Sequence, residues 1–146
     1  MGPMPGGGHE APTDDETFLR GVQMTDDRGY AEFSSIFPGW YAGRTVHVHA
    51  KVHVGSYIED GFAEGGHVSH TGQFFFAEDL TRAVAQLAPY RSNRTTRTTN
   101  GQDMHYNLGH GSGVLTVVPR DRYHLGHGLL ATITVAVDPD ATPKPV

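Results

Sequence analysis

Between Arg44 and Val54 the chain reads RTVHVHAKVHV, and this run constrains the fold more than any other. Strand side chains alternate with a period of two, so Val46, Val48, Ala50, Val52 and Val54 share one face and Thr45, His47, His49, Lys51 and His53 the other. Such a segment is a half-buried β-strand, with one face against a core and the other turned to solvent or to chemistry. The rest of the chain fits a strand-and-turn architecture: 19 of its 146 residues are Gly and 9 are Pro, which favours many turns over long helices. The expected fold is all-β, a β-sandwich of mixed sheets with one short helix. At this length one domain is expected, over residues 16–139, flanked by flexible tails at 1–15 and 140–146.

Upstream of the strand, Phe18–Thr25 (FLRGVQMT) and AEFSSIF bracket the turn DDRGY, where Gly29 tolerates φ > 0; this predicts a β-hairpin. PGWYAG, Pro38 to Gly43, then breaks the chain into a loop before the long strand, which is expected to begin near Arg44. Residues 55–69 are loop-like, and HTGQFFFAED has the aromatic content of a short strand. Leu80, Ala83, Val84 and Leu87 recur at helical spacing behind the acidic Glu78 and Asp79, which predicts a short helix ending before Pro89. Residues 91–112 read as a long polar loop, and GVLTVVP and LLATITVAVD as two closing strands.

The formal net charge is −5, and basic residues cluster only in YRSNRTTRTTN. That weighs against nucleic acid as a partner, because phosphate binding needs a concentrated basic surface. No apolar run is long enough to span a membrane. The Gly/Pro-rich start lacks the apolar centre of a signal peptide, so the sequence as written reads as cytoplasmic; a longer chain with an upstream leader would instead be exported. With no cysteine, any metal must be held by His, Tyr or carboxylates.

Histidines at i and i+2 on a strand send both imidazoles to one side, where His47 and His49 can share a metal ion. A polar face turned to water has the same pattern. Tyr41, six residues before His47 across a glycine-containing turn, can fold back over that face. A phenol becomes a good anionic ligand only beside a strong Lewis acid, which suits ferric iron better than zinc; the competing reading packs Tyr41 beside Trp40. Arg44, three residues before His47, is expected at the mouth of the site, either as a surface charge or as a group that stabilises negative charge on a substrate. His53 lies about 13 Å along an extended strand from His49, too far to share the ion. A cupin would need a Glu four or five positions after the His-x-His pair, where this chain has His53 and Val54. His67 with His70, and His124 with His127, have ligand-like spacings but lie in Gly-rich segments and read as surface-loop histidines.

The run TDDRGYAEFSSIFPGWYAGRTVHVHAKV, Thr25 to Val52, resembles the central motif of the intradiol ring-cleavage dioxygenases: a TD-x-x-G hairpin, a PG-x-Y turn, an Arg and an H-(I/V)-H strand. The resemblance is specific over about thirty residues and extends to HTGQFFF. It implies a non-haem Fe(III) cofactor with Tyr41, His47 and His49 as metal ligands, Arg44 as the active-site arginine and Gln73 as a pocket glutamine. The implied reaction is O₂-dependent opening of a catechol-type aromatic to a muconate-type diacid, in which catechol chelates the iron and displaces an axial tyrosinate. The family's other tyrosinate comes from upstream of the FLRG strand, whereas this chain has no tyrosine before Tyr30, and Tyr30 occupies a hairpin position that is not a ligand. The competing expectations are a truncated or degenerate β-sandwich that only binds metal, or an interaction module with no metal. A first strand missing from the sheet would expose an edge and favour homo-oligomers.

Overall fold

The structure is a computed structural model that describes Asp15, Glu16 and residues 19–144. The expected tail at 1–15 therefore lies outside the described residues except for Asp15, whereas 140–144 of the expected tail at 140–146 are described. Short strands dominate, in order β1 (His47–Val54), β2 (Tyr57–Glu59), β3 (Phe62–Glu64), β4 (His67–Phe75), β5 (Thr116–Pro119) and β6 (Leu129–Thr132). They form three two-stranded sheets, β1 with β4, β2 with β3 and β5 with β6. The all-β expectation holds. Among the described residues there are two short α-helices, where one is expected: α1 (Glu78–Val84) and α2 (Met104–Leu108). No described helix is long and apolar enough to cross a membrane.

The described chain divides into two compact units, one of residues 38–49 and 73–135, the other of described residues within 11–37, 50–72 and 136–144. In the first, Val46, Phe75, Phe76 and Val84 make the apolar core. Val46 comes from the valine face anticipated for the strand, and the two phenylalanines from the aromatic run that closes β4. The end of β4 is fastened by a parallel bridge between Phe75 and Val114, with Phe75 N–H donating to the Gly113 carbonyl and Leu115 N–H to the Phe75 carbonyl, both at 2.8 Å. Helix α1 starts with Glu78 and Asp79, whose charges suit the positive end of the helix dipole, and buries Thr81 and Val84. Its inward stripe runs through Thr81, so Ala83, expected to face inward, is exposed.

Segment 91–112, expected to be loop, contains α2. Asp103 caps it by accepting from Tyr106 N–H at 2.9 Å, which satisfies one of the orphan amides of the first turn; Gly109 ends it. Strands β5 and β6 pair antiparallel with Thr116 opposite Thr132 and Pro119 opposite Leu129. The expected last strand stops at Thr132: the apolar run continues to Asp138 without pairing among the described residues.

In the second unit the region expected to be loop folds into the β2–β3 hairpin, Glu59 opposite Phe62. Its two-residue turn, Asp60-Gly61, has φ of 49° and 82°. Positive φ at both positions is the mirror-image turn whose twist matches paired strands, and Asp-Gly is a sequence that tolerates it. The expected 18–25/31–37 hairpin is reduced to its turn: Asp26 N–H donates to the Tyr30 carbonyl at 2.8 Å and Gly29 N–H to the Asp26 carbonyl at 2.9 Å. No strand flanks that turn among the described residues. Leu19, Met24, Tyr30, Phe33 and Ile36 are all exposed. His67 and His70, expected in a loop, belong to β4. Three positions apart on a strand, they point to opposite faces and cannot share one ion.

Candidate metal centre

All five residues singled out in the sequence lie in the first unit. Alternation along β1 brings His47 and His49 together, with ring centroids 4.9 Å apart and Nε2 atoms 3.2 Å apart. For metal–nitrogen bonds of about 2.1 Å, two ligands at right angles have nitrogens about 3.0 Å apart, so this spacing is that of a cis pair on one ion. The PGWY turn returns Tyr41 to the same place, its ring 6.0 Å from that of His47 and edge-on to it. The turn is anchored from both sides of Trp40: its indole donates to the Thr95 carbonyl at 2.7 Å, and its carbonyl accepts from Asn93 Nδ2 at 2.9 Å.

His47 Nδ1 lies 2.6 Å from the Thr45 carbonyl. A carbonyl can only accept, so Nδ1 carries the proton and the Nε2 lone pair is left for a metal; this outer contact is what orients a ligating imidazole. Burial lowers the His47 pKa below the ordinary imidazole value, and the Arg44 charge acts in the same direction against the opposing pull of Thr45 and Asp103. The ring is therefore neutral at neutral pH, the state in which it can ligate. A cleft of about 280 Å³ opens between Pro38, Gly39, Trp40, Tyr41, Thr45, His47 and His49. That is near the lower end of the range of about 300–1,000 Å³ for small-molecule sites. Tyr41 is the one tyrosine lining it among the described residues.

Arg44 does not stand at the mouth. Its side chain is 3% exposed and its Nε donates to Asp103 Oδ2 at 2.9 Å, while Nη2 donates to Gln73 Oε1. Asp103 Oδ2 also accepts from Thr45 N–H at 2.9 Å, and Thr45 Oγ1 donates to Asn100 Oδ1 at 2.7 Å. Asn100 in turn holds the Phe76 carbonyl and Glu78. Burial would raise the Asp103 pKa, but hydrogen bonds from Arg44, Tyr106 and Thr45, together with the guanidinium charge, bring it below the ordinary carboxylate value. One fully buried carboxylate thus fixes the strand entry that carries the histidines, the arginine and the cap of α2. Sequence reasoning missed Asp103, although Asp followed by helix-forming residues and Gly109 is a legible capping pattern. Its ion pair with Arg44 has no local signature.

The donor set therefore fits a ferric ion: two imidazoles converge at ligand spacing, and a phenol beside them can supply an anionic oxygen.

The fold and the site together point to a class. No protein-family model matches the sequence, and no curated protein matches it. Solved structures do: an intradiol ring-cleavage dioxygenase from Tetranychus urticae superposes with a TM-score of 0.75 at 28% identity over 90% of this chain and 59% of its own. A second solved dioxygenase superposes with the same TM-score at 29% identity, over 92% of this chain and 60% of its own. The resemblance read in the Thr25–Val52 motif is thus a resemblance of the whole described fold to the intradiol ring-cleavage dioxygenases. The chain spans about 60% of the length of the solved chains it matches.

Proposed function

We propose that this chain binds ferric iron through Tyr41, His47 and His49 and opens a catechol-type aromatic with O₂ to a muconate-type diacid. The observation that carries the reading is the His47–His49 pair, its Nε2 atoms 3.2 Å apart beside the Tyr41 ring in one cleft. Likeness to dioxygenases at 28–29% identity supports the same class of chemistry. Ferric iron would supply a Lewis acid and redox centre at which a catecholate and O₂ are activated.

The protein's own groups then have separable tasks. Thr45 holds His47 in the ligating tautomer. Trp40, pinned by Thr95 and Asn93, gives the cleft an apolar wall against which a flat ring can lie. Arg44 and Gln73 act as positioning residues, because the guanidinium is engaged by Asp103 and Gln73 and its field helps to keep His47 neutral.

The test is to load the purified protein with Fe(III) and record its visible spectrum. The expected result is a broad tyrosinate-to-iron charge-transfer band, lost in Tyr41→Phe, with O₂ consumed when catechol is added. A colourless protein that retains no iron would overturn the reading. Iron and colour without O₂ uptake would select the competing reading, a metal-binding module of the same fold.

A further inference from the structure

On the connection between β5 and β6, Asp121, His124 and His127 have ligand atoms all within 4.8 Å of one another. None of them takes part in the site around His47. Their spacing of three is matched by the backbone: His124 N–H donates to the Asp121 carbonyl at 3.1 Å and His127 N–H to the His124 carbonyl at 3.0 Å. Two consecutive i to i+3 turns, 121–124 and 124–127, meet at His124, the second being a 3₁₀ turn over Leu125–His127. The two imidazoles stack, centroids 4.8 Å apart and planes 15° from parallel. Both turn Nδ1 toward the same atom, Asp121 Oδ2, at 3.0 Å for His124 and 3.2 Å for His127. The other carboxylate oxygen is occupied, accepting from Tyr123 N–H at 2.9 Å.

We infer that Asp121 Oδ2, His124 Nδ1 and His127 Nδ1 form a second metal site, for a borderline divalent ion of the zinc type. Two imidazole nitrogens and one carboxylate oxygen are the donors such an ion prefers. Nitrogen-to-oxygen separations of 3.0 and 3.2 Å are close to the roughly 3.4 Å edge of a tetrahedron with bonds of about 2.1 Å. The ion takes the place of the two Nδ1 protons, and each ring then ligates as the neutral tautomer that carries its proton on Nε2. Both histidine side chains are 64% exposed, so the remaining coordination positions are open to water. The loop is already closed at its base, where Arg120 N–H donates to the Gly128 carbonyl at 2.9 Å. Metal there ties residues 121–127 to one another and acts as a clamp on the hairpin connection.

Zinc titrated into a His47→Ala/His49→Ala background, which removes competition from the first site, is expected to bind once per chain. Adding His124→Ala or Asp121→Ala should weaken that binding by at least about 10-fold, since loss of even an outer-shell partner costs about that much. As a second readout that does not depend on the double variant, zinc added to the wild-type protein should slow amide exchange across 120–128, and His127→Ala should abolish the effect. Absence of zinc binding in the double variant, equal affinity after His124→Ala, or exchange at 120–128 that zinc leaves unchanged would each overturn the assignment.

Discussion

At the residue scale the site rests on one carboxylate. Asp103 is 0% exposed and accepts from Arg44, Thr45 N–H and Tyr106 N–H. Removing one member of a buried ion pair leaves the other uncompensated, at a cost of about 3–5 kcal/mol. Asp103→Ala is therefore expected to lower stability by that amount in a urea titration, and to loosen the strand entry that carries His47. The same residue sets an acid limit. Its folded pKa lies below the ordinary value of 3.8, so its contribution to stability is fully present above that value and is lost as pH falls through it toward the folded pKa. Melting temperatures measured from pH 5 downward should fall across this interval in the wild type, and less steeply in Asp103→Asn. His47→Ala should lose iron, colour and O₂ uptake together, whereas His67→Ala, a β4 residue that meets the Pro139 carbonyl, should keep all three.

At the scale of elements, the junction between β4 and the segment entering β5 depends on a glycine. Gly113 has φ of +81°, and a Cβ there would lie 2.9 Å from the Gln73 carbonyl oxygen. The left-handed conformation alone costs a non-glycine residue about 1–2 kcal/mol, and the backbone contact adds to it. Gly113→Ala is expected to destabilise the protein by more than that conformational cost, read by chemical denaturation. Elements legible in the sequence were those whose signal is local. The period of two along β1, the acidic first turn of α1 and the β-branched β5 could all be read from neighbouring residues. The Asp60-Gly61 turn and the Asp103 cap carry equally local signals, but their polar, Gly-rich surroundings give the pattern of a loop. The 18–25/31–37 hairpin shows the converse: its turn chemistry is present, but turn chemistry alone does not make a strand ladder, and none forms in these segments among the described residues.

At the scale of the molecule, the ladder pairing in β1, β4, β5 and β6 contrasts with residues 31–37, which carry no assigned structure and expose Phe33 and Ile36. Hydrogen exchange tracks local opening, so the amides of β1, β4 and α1 should exchange slowly and those of 31–37 fast. Equal protection of 31–37 and β1 in exchange mass spectrometry would refute this ordering.

The sequence by itself determined which side chains could meet a metal. His47 and His49 share a face because strand geometry repeats every two residues, and Tyr41 returns to them because PGWYAG turns the chain. The tertiary structure alone decided what supports them. Arg44 and Asp103 stand 59 positions apart, and Thr45 reaches Asn100 across 55. No periodicity or capping rule encodes such a contact. It arises when folding removes water from a charge and the nearest group that can compensate it, wherever that group lies in the chain, is drawn in.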